Sequence, residues 1–371
     1  LSRVTADAGV VMNVAQQRAE AGRLRAAFEA AGGQPVECSI LQPAGVFLDL
    51  YGEDIRARAY VTQDPGRGEQ MLRPDFTLPV VQMHMRNGAD TARYTYSGEV
   101  FRRQEDHPER ASEYLQVGYE VFDGSDPAAA DAEVFALFSE VLRPYGLRAA
   151  TGDMGILLAA VQGLETSERR RAALLRHIWR PKRFRALIDR FSGRAAVPPT
   201  RSALLASADP MAEAGPMIGL RSQDEIAARI EALRADAAEP PLSEAQVALI
   251  DAILAVRETC VFALEHLRDI AVDLPTIGAA VEQFAQRCEA MYQRGVDVAN
   301  LDFEAAYGRT SMEYYDGFVF GFYPEARPDL PAVATGGRYD ALTRQLGSGA
   351  SIPAVGGVIR PDILVALETE Q

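Results

Sequence analysis

The run Ala92-Arg93-Tyr94-Thr95-Tyr96-Ser97-Gly98-Glu99-Val100-Phe101-Arg102-Arg103, followed after a polar loop by Tyr114-Leu115-Gln116-Val117-Gly118-Tyr119-Glu120-Val121-Phe122, decides the fold. The first segment is rich in aromatic and β-branched residues and the second alternates with period two, which predicts two strands. The stretch between them, Gln104 to Ser112, is too hydrophilic to be buried, so the pair reads as a hairpin with a long mobile tip. One face of the second strand carries Leu115, Val117, Tyr119 and Val121, which belong in a core. The other carries Gln116, Gly118 and Glu120. A glycine between a carboxamide and a carboxylate leaves room for a ligand above the sheet, and the two acceptors suit an ammonium or an imidazole. On periodicity alone, an exposed polar face is the plainer reading. Arg102 ends the first strand at the loop edge, and its planar guanidinium suits a carboxylate or a phosphate. Taken alone it reads as a surface residue.

Working outward, Val11 to Ala31 reads as a helix stopped by Gly32-Gly33. From Val46 to Val61 short β-like runs alternate with charge. Pro74 and Pro79 bracket a loop that carries Asp75 and Thr77. A helix is expected over Ala128 to Leu142, and residues 150–300 are mainly helical. There, Ser243 and Gln246 form a capping box ahead of the Val247, Ile250, Leu254 stripe. Another amphipathic helix runs from Ile277 to Arg294 and stops at Gly295, and Ala235 to Pro241 looks like a connector. Strands return at Tyr314 to Tyr323, Ala332 to Thr335 and Ala354 to Ile359, and Pro361 opens a last helix. The reading is α+β: a mostly antiparallel sheet flanked by helices, its core split into 1–150 and 301–371 by a helical insertion over 151–300.

The 371 residues carry a net charge of −14, with 48% hydrophobic and 24% charged residues, an ordinary globular composition. That acidity argues against a nucleic-acid-binding surface, which needs cations to displace counterions from phosphates. Local basic runs, Arg169 to Arg171 and Arg180-Pro181-Lys182-Arg183, read as solvated helix faces. Lys182 is the only lysine and no glycine-rich loop precedes it, which excludes a P-loop. Cys38, Cys260 and Cys288 are odd in number and scattered, which argues against disulfides and zinc and fits a reducing cytoplasm. The four histidines show no ligand spacing and read as structural or exposed. No apolar run is long enough to span a bilayer and no secretory signal opens the chain. Leu1 in place of a methionine sets the expected native start upstream.

Several ordered stretches resemble histidyl-tRNA synthetases, a class II family. Arg73-Pro74-Asp75-Phe76-Thr77 resembles their Arg-Pro-Glu-Gly-Thr loop. Ser97-Gly98-Glu99-Val100-Phe101-Arg102 through Gln116-Val117-Gly118-Tyr119-Glu120-Val121-Phe122 resembles motif 2 in its histidyl form. Glu313-Tyr314-Tyr315 resembles the end of the Arg-Gly-Leu-Asp-Tyr-Tyr signature. Gly336-Gly337-Arg338-Tyr339-Asp340 and Pro353-Ala354-Val355-Gly356 follow in the family's order. The resemblance implies a class II synthetase-like fold over roughly residues 10–368 and a histidine pocket. In it, Asp75, Thr77 and Gln116 would hold the α-ammonium. Glu120 with Tyr314 or Tyr315 would read the imidazole, and Arg102 would face the carboxylate.

The chain departs from a working synthetase on its nucleotide side. The arginine opening the histidine signature falls at Thr310, and the motif 3 arginine at Ile363, with Arg360 nearby but out of register. Each lost cation costs about 3 kcal/mol of transition-state stabilisation on the usual mutational scale. Asp75 and Phe76 replace Glu and Gly of the amino-acid loop, and Ile40 stands where motif 1 has its proline. No anticodon-binding domain is expected before Gln371. Among the paralogues of histidyl-tRNA synthetase, this pattern resembles the regulatory subunits of ATP phosphoribosyltransferase. That resemblance implies a non-catalytic subunit, without cofactor or metal, in the cytoplasm. It would form a homodimer within a hetero-octamer with the short-form catalytic subunit and transmit feedback inhibition by L-histidine in histidine biosynthesis, with no tRNA and no membrane as partner. The alternatives are an active amino-acid-activating enzyme or fragment, and a pseudo-enzyme domain of a nutrient-sensing kinase.

Overall fold

A computed structural model describes residues 14–51, 55–88, 90–104, 110–212, 215–216, 218–309 and 314–368. The first half of the chain contains α1 (Val14–Ala30), β1 (Gln34–Pro35), β2 (Leu41–Pro43), α2 (Ala44–Tyr51), α3 (Ile55–Arg58), β3 (Val61–Asp64), β4 (Gly68–Leu72), α4 (Thr77–Arg86), β5 (Ala92–Phe101), β6 (Glu113–Phe122), α5 (Pro127–Leu142) and β7 (Arg148–Asp153). A helical stretch follows: α6 (Met154–Gln162), α7 (Glu168–Arg176), α8 (Pro181–Phe191), α9 (Pro199–Ala206), α10 (Gln223–Ala238), α11 (Glu244–Ala255), then β8 (Arg257–Thr259), α12 (Cys260–Asp273) and α13 (Gly278–Gln293). The chain closes with β9 (Asp302–Glu304), β10 (Phe318–Tyr323), β11 (Ala334–Arg338), α14 (Asp340–Leu346), β12 (Ala354–Ile359) and α15 (Pro361–Glu368).

Nine strands form the main sheet in the order β1-β5-β6-β12-β11-β10-β7-β9-β8, and β2-β4-β3 form a small second sheet. The main sheet is antiparallel except where β1 joins β5 and β7 joins β9. β10 to β12 are hydrogen-bonded between β6 and β7 although they lie far along the chain, so the helical stretch is an excursion from one continuous sheet. Strand alternation gives the sheet two unlike faces. On one, Phe318, Phe320 and Phe322 of β10 meet Phe135 and Phe138 of α5, with centroids 5.4 Å apart for Phe138–Phe320 and 5.5 Å for Phe135–Phe322. Phe28 of α1 extends this layer, 5.3 Å from Phe138. Ala21, Leu24 and Phe28 are buried at helical spacing, and Gly32, at φ +96°, turns the chain out of α1. Register puts Gln116, Gly118 and Glu120 on the opposite face, with Gly356 beside Glu120 and Gly337 beside Gly356.

Buried ion pairs tie the helices to the sheet. Asp131 of α5 accepts from Arg338 Nε and Nη2 of β11 at 3.0 and 2.7 Å and from Arg287 Nη1 of α13 at 3.3 Å. Arg287 Nη2 also donates to Asp153 at the end of β7, 2.7 Å away, and Asp153 in turn caps α6. All four side chains are buried.

The structure corrects several sequence expectations. The described residues of Val46 to Val61 are not β-like: they form α2 and α3, and β3 begins only at Val61. Ala44 and Phe47 are buried three residues apart, a helical spacing that interleaved charge disguises as alternation. Thr77 is not in a loop but opens α4. Pro79 is accepted in that first turn because its missing N–H would have no helical partner. Ala235 to Ala238 completes α10, which leaves only residues 239–243 as connector. Tyr314 and Tyr315 precede β10 rather than beginning it, and β11 lies at Ala334–Arg338 instead of Ala332 to Thr335. Val11 to Asn13, residues 105–109 of the hairpin tip, and Thr310 to Glu313 lie outside the described residues. Among the described residues no helix is long and apolar enough to cross a membrane, and no cluster of metal-ligating side chains occurs.

Removing one partner of a buried ionic network strands the others in low dielectric, at a cost of about 3–5 kcal/mol. Urea unfolding of Asp131→Ala should show a loss of that size. Asp302→Ala, which breaks a pair with Arg148 whose side chains are 48% and 41% exposed, should cost less than about 1 kcal/mol. Equal costs for the two would refute the ranking.

Candidate ligand-binding site

Glu120 stands at the centre of the sheet's second face and is only 1% exposed. Its Oε1 accepts from the Thr77 hydroxyl at 3.0 Å and the Tyr96 hydroxyl at 2.8 Å, and its Oε2 from the Tyr339 hydroxyl at 2.6 Å. Each donor has a different origin: Thr77 from the first residue of α4, Tyr96 from the neighbouring strand, and Tyr339 from the turn after β11. A carboxylate has about four acceptor positions. Three are taken, and Oε2 retains one for another donor.

Two glycines make this arrangement possible by close approach. A Cβ on Gly356 would sit 1.5 Å from Glu120 Oε2, and one on Gly118 would sit 2.1 Å from the Tyr96 ring. The space expected above Gly118 is therefore filled by Tyr96, and the Glu120 side chain lies across Gly356. The exposed-face reading of Gln116, Gly118 and Glu120 fails for the same reason. α4, the segment ahead of it and the tyrosines cover that face, leaving Gln116 only 2% exposed.

Asp75, just before α4, is 2% exposed. Its Oδ1 accepts from the Leu78 backbone N–H at 3.3 Å, whereas Oδ2 is buried with no hydrogen-bond partner. Arg102 Nη2 lies 4.0 Å from Oδ2, beyond hydrogen-bond reach. Arg102 Nε itself donates to the Pro74 carbonyl at 2.6 Å. Gln116 Oε1 is likewise buried without a partner. Each orphaned acceptor costs about 1–3 kcal/mol, which a bound donor would relieve. Tyr315 is buried, its ring over Gly337, and Tyr314 packs on it at 4.8 Å and on Tyr339 at 6.1 Å.

The electrostatics follow from burial. Desolvation pushes Glu120 up to about 7, outweighing the three hydroxyl donors that favour its charged form. Burial also raises Asp75, against the pull of Arg102. Tyr96, Tyr339 and Tyr315 are held above the usual tyrosine range by burial first and by the Glu120 charge second. All three phenols stay neutral, and Tyr96 and Tyr339 act as neutral donors to Glu120.

The structure thus gathers Asp75, Thr77, Arg102, Glu120, Tyr314 and Tyr315 around one spot, with Gln116 further along the same strand face. Sequence reading missed Tyr96 and Tyr339. Tyr339 lay in the quoted Gly336-Gly337-Arg338-Tyr339-Asp340 run, and Tyr96 is register-paired with Gly118. Phe76, in place of the family's glycine, stacks on Tyr96 at 4.3 Å under the Arg73 guanidinium, 3.9 Å from its ring centre. Ile363 is buried in the first turn of α15. Arg360 lies 4.0 Å over the Tyr114 ring and pairs with Asp362.

A family model described as "Histidyl-tRNA synthetase" matches residues 11–235 and 224–364. ATP phosphoribosyltransferase regulatory subunits of Brucella ovis and Brucella abortus are each 32% identical over 368 residues, covering 94% of this chain and 96% of theirs. The chain belongs to the family of ATP phosphoribosyltransferase regulatory subunits. A solved structure titled as such a regulatory subunit/histidyl-tRNA synthetase, from Bacillus halodurans, superposes with a TM-score of 0.68. It covers 99% of this chain and 84% of that one at 18% identity, which shows the shared class II fold. Within the regulatory-subunit family fold, then, Glu120 and its three hydroxyl donors form the centre of the sheet's second face.

A carboxyl raised from about 4.5 to about 7 binds more protons folded than unfolded between those values. Its contribution to stability therefore falls as pH rises through that window, by on the order of 3 kcal/mol in all. Without added ligand, Glu120→Gln should flatten the decline between about pH 4.5 and 7 in denaturant titrations at a series of pH values. Parallel curves for the two proteins would show that Glu120 is not the group responsible.

Proposed function

We propose that this chain is the non-catalytic regulatory subunit of a short-form ATP phosphoribosyltransferase, acts in histidine biosynthesis, and binds L-histidine as feedback inhibitor in the Glu120 pocket. The observation that carries the pocket is the pair of buried, partnerless acceptors, Asp75 Oδ2 and Gln116 Oε1. An α-ammonium brings three donors and a positive charge, which suits one carboxylate and one carboxamide oxygen. The remaining position on Glu120 Oε2 suits an imidazole N–H, with Tyr314 and Tyr315 as the aromatic wall. Arg102, 4.0 Å from Asp75 Oδ2, is near enough to meet the ligand's carboxylate.

The regulatory role is supported by relatives of nearly the same extent that carry that name. On this reading the catalytic chemistry lies on the partner, and the assembly is a homodimer within a hetero-octamer in the cytoplasm. Histidine inhibits by binding the inhibited assembly more tightly than the active one. Loss of the synthetase arginines at Thr310, outside the described residues, and at Ile363, buried in α15, supports the absence of amino-acid activation. The competing reading, an active histidyl-tRNA synthetase-like enzyme, requires pyrophosphate exchange with histidine and ATP.

Calorimetry should find saturable histidine binding that Gln116→Ala and Glu120→Ala each weaken by at least about tenfold, or 1.4 kcal/mol. Unchanged affinity in both variants would sink the pocket assignment. Co-purification with a short-form phosphoribosyltransferase should raise that enzyme's activity, and histidine should lower it. Clear pyrophosphate exchange by this chain alone would overturn the regulatory reading in favour of the synthetase.

A further inference from the structure

The densest positive stretch of the sequence, Arg176 to Arg185, forms the corner between α7 and α8. Arg176, Arg180, Lys182, Arg183 and Arg185 lie within it and no acidic residue does, in a chain of net charge −14. Arg185 is paired with Asp251. Arg176, Lys182 and Arg183 are exposed and make no ion pair among the described residues.

A solvated helix face would account for the exposed cations but not for what lies beneath them. Arg309 reaches the corner from the segment after β9. Its Nε donates to the Ile178 carbonyl at 2.8 Å, and its guanidinium lies 4.8 Å over the Phe184 ring. Arg309 is only 6% exposed, and its Nη2 is buried without a hydrogen-bond partner. Trp179 Nε1 and His177 Nδ1, on either side of Ile178, are also buried and partnerless. Buried polar groups are normally satisfied, and here three orphans belong to side chains that flank Ile178 or bond to its carbonyl.

The backbone adds to the same demand. α8 begins here with Pro181 in its first turn and no side-chain cap, so the positive end of its dipole opens on the corner. Burial and the neighbouring Arg185 charge together pull Arg309 down to about 10. Burial first, then Arg180, Arg183 and Arg176, pull His177 down. Both groups are depressed first by burial and then by neighbouring positive charge, of which Arg185 is paired with Asp251.

We propose that the α7–α8 corner, floored by Arg309 and Trp179 and rimmed by Lys182 and Arg183, is a binding site for a small phosphate-type oxyanion. Such an ion offers acceptors on every side, matching a guanidinium N–H, an indole N–H and the free N–H groups of a helix start. Free phosphate, pyrophosphate and the phosphate of a small ester share this chemistry. A nucleic acid fits less well, since its backbone needs an extended basic track and this positive region is confined to one corner.

The test is calorimetry on the full chain at constant ionic strength, with chloride as the control. Inorganic phosphate, pyrophosphate, ribose 5-phosphate and a single-stranded RNA oligonucleotide are titrated separately. Saturable sub-millimolar binding of at least one of the three small phosphates is expected, and the tightest of them identifies the source. The exposed double variant Lys182→Ala/Arg183→Ala should weaken it by at least about tenfold while leaving histidine binding unchanged. Arg309→Gln should weaken it further, with circular dichroism to confirm its fold. If no small phosphate gives heat beyond the chloride control, or if binding is unchanged in both variants, the site does not exist. RNA binding tighter than any small phosphate and lost in the same variants would overturn the small-ion assignment in favour of nucleic acid.

Discussion

The carboxylate of Asp131 is the point on which the rest of the structure depends. It accepts from Arg338 on β11 and from Arg287 on α13, and Arg287 passes the link on to Asp153 at the end of β7. One side chain of α5 thereby fixes two strands and the last long helix of the helical excursion to the sheet. Alternation along β11 sends Arg338 to this helix side and leaves Tyr339, one residue on, to reach the opposite side, where Glu120 lies. The same turn that anchors the fold therefore delivers a hydroxyl to Glu120. Such networks cost desolvation and contribute little net stability. Their value here is positional, since each charge has a single set of partners that satisfies it.

The second face of the sheet divides into two regions of opposite character. Around Glu120, three neutral hydroxyl donors nearly saturate a carboxyl that burial has already made reluctant to ionise. Around Asp75 and Gln116, acceptors are buried in excess of donors. The first region is rigid and selective for a single further donor. The second is an electrostatic debt that a cationic group relieves. A ligand with an ammonium at one end and a polar N–H ring at the other is complementary to both. The α7–α8 corner is the inverse case, donors without acceptors, so the two sites demand ligand groups of opposite charge.

Much of this was legible in the residues. Ser243 with Gln246, and Pro361 as the first residue of the last helix, are local start signals, and each marks a helix start in the structure. The β5–β6 hairpin was readable because aromatic and β-branched residues dominate it. Val46 to Val61 was misread because a short run of mixed apolar and charged residues fits both periods. The polar face of β6 was misjudged for a deeper reason. Period two tells which residues share a side, but not whether another segment covers that side. α4, packed there from an earlier stretch of chain, turned an apparent solvent face into a buried one.

Sequence by itself determined the elements, the two faces of β6 and the kinship of the chain, because these rest on neighbours within a turn or a strand and on ordered motifs. Only the tertiary structure decided that Tyr96 fills the space over Gly118, that Thr77 and Tyr339 close on Glu120, and that Asp75 and Gln116 are left without donors. Those facts depend on contacts between residues as far apart as Glu120 and Tyr339, and on low dielectric created by everything packed around them. A residue's partners and its exposure to water are properties of the folded assembly, and they decide which of the polar groups named in the sequence are satisfied and which still require a ligand.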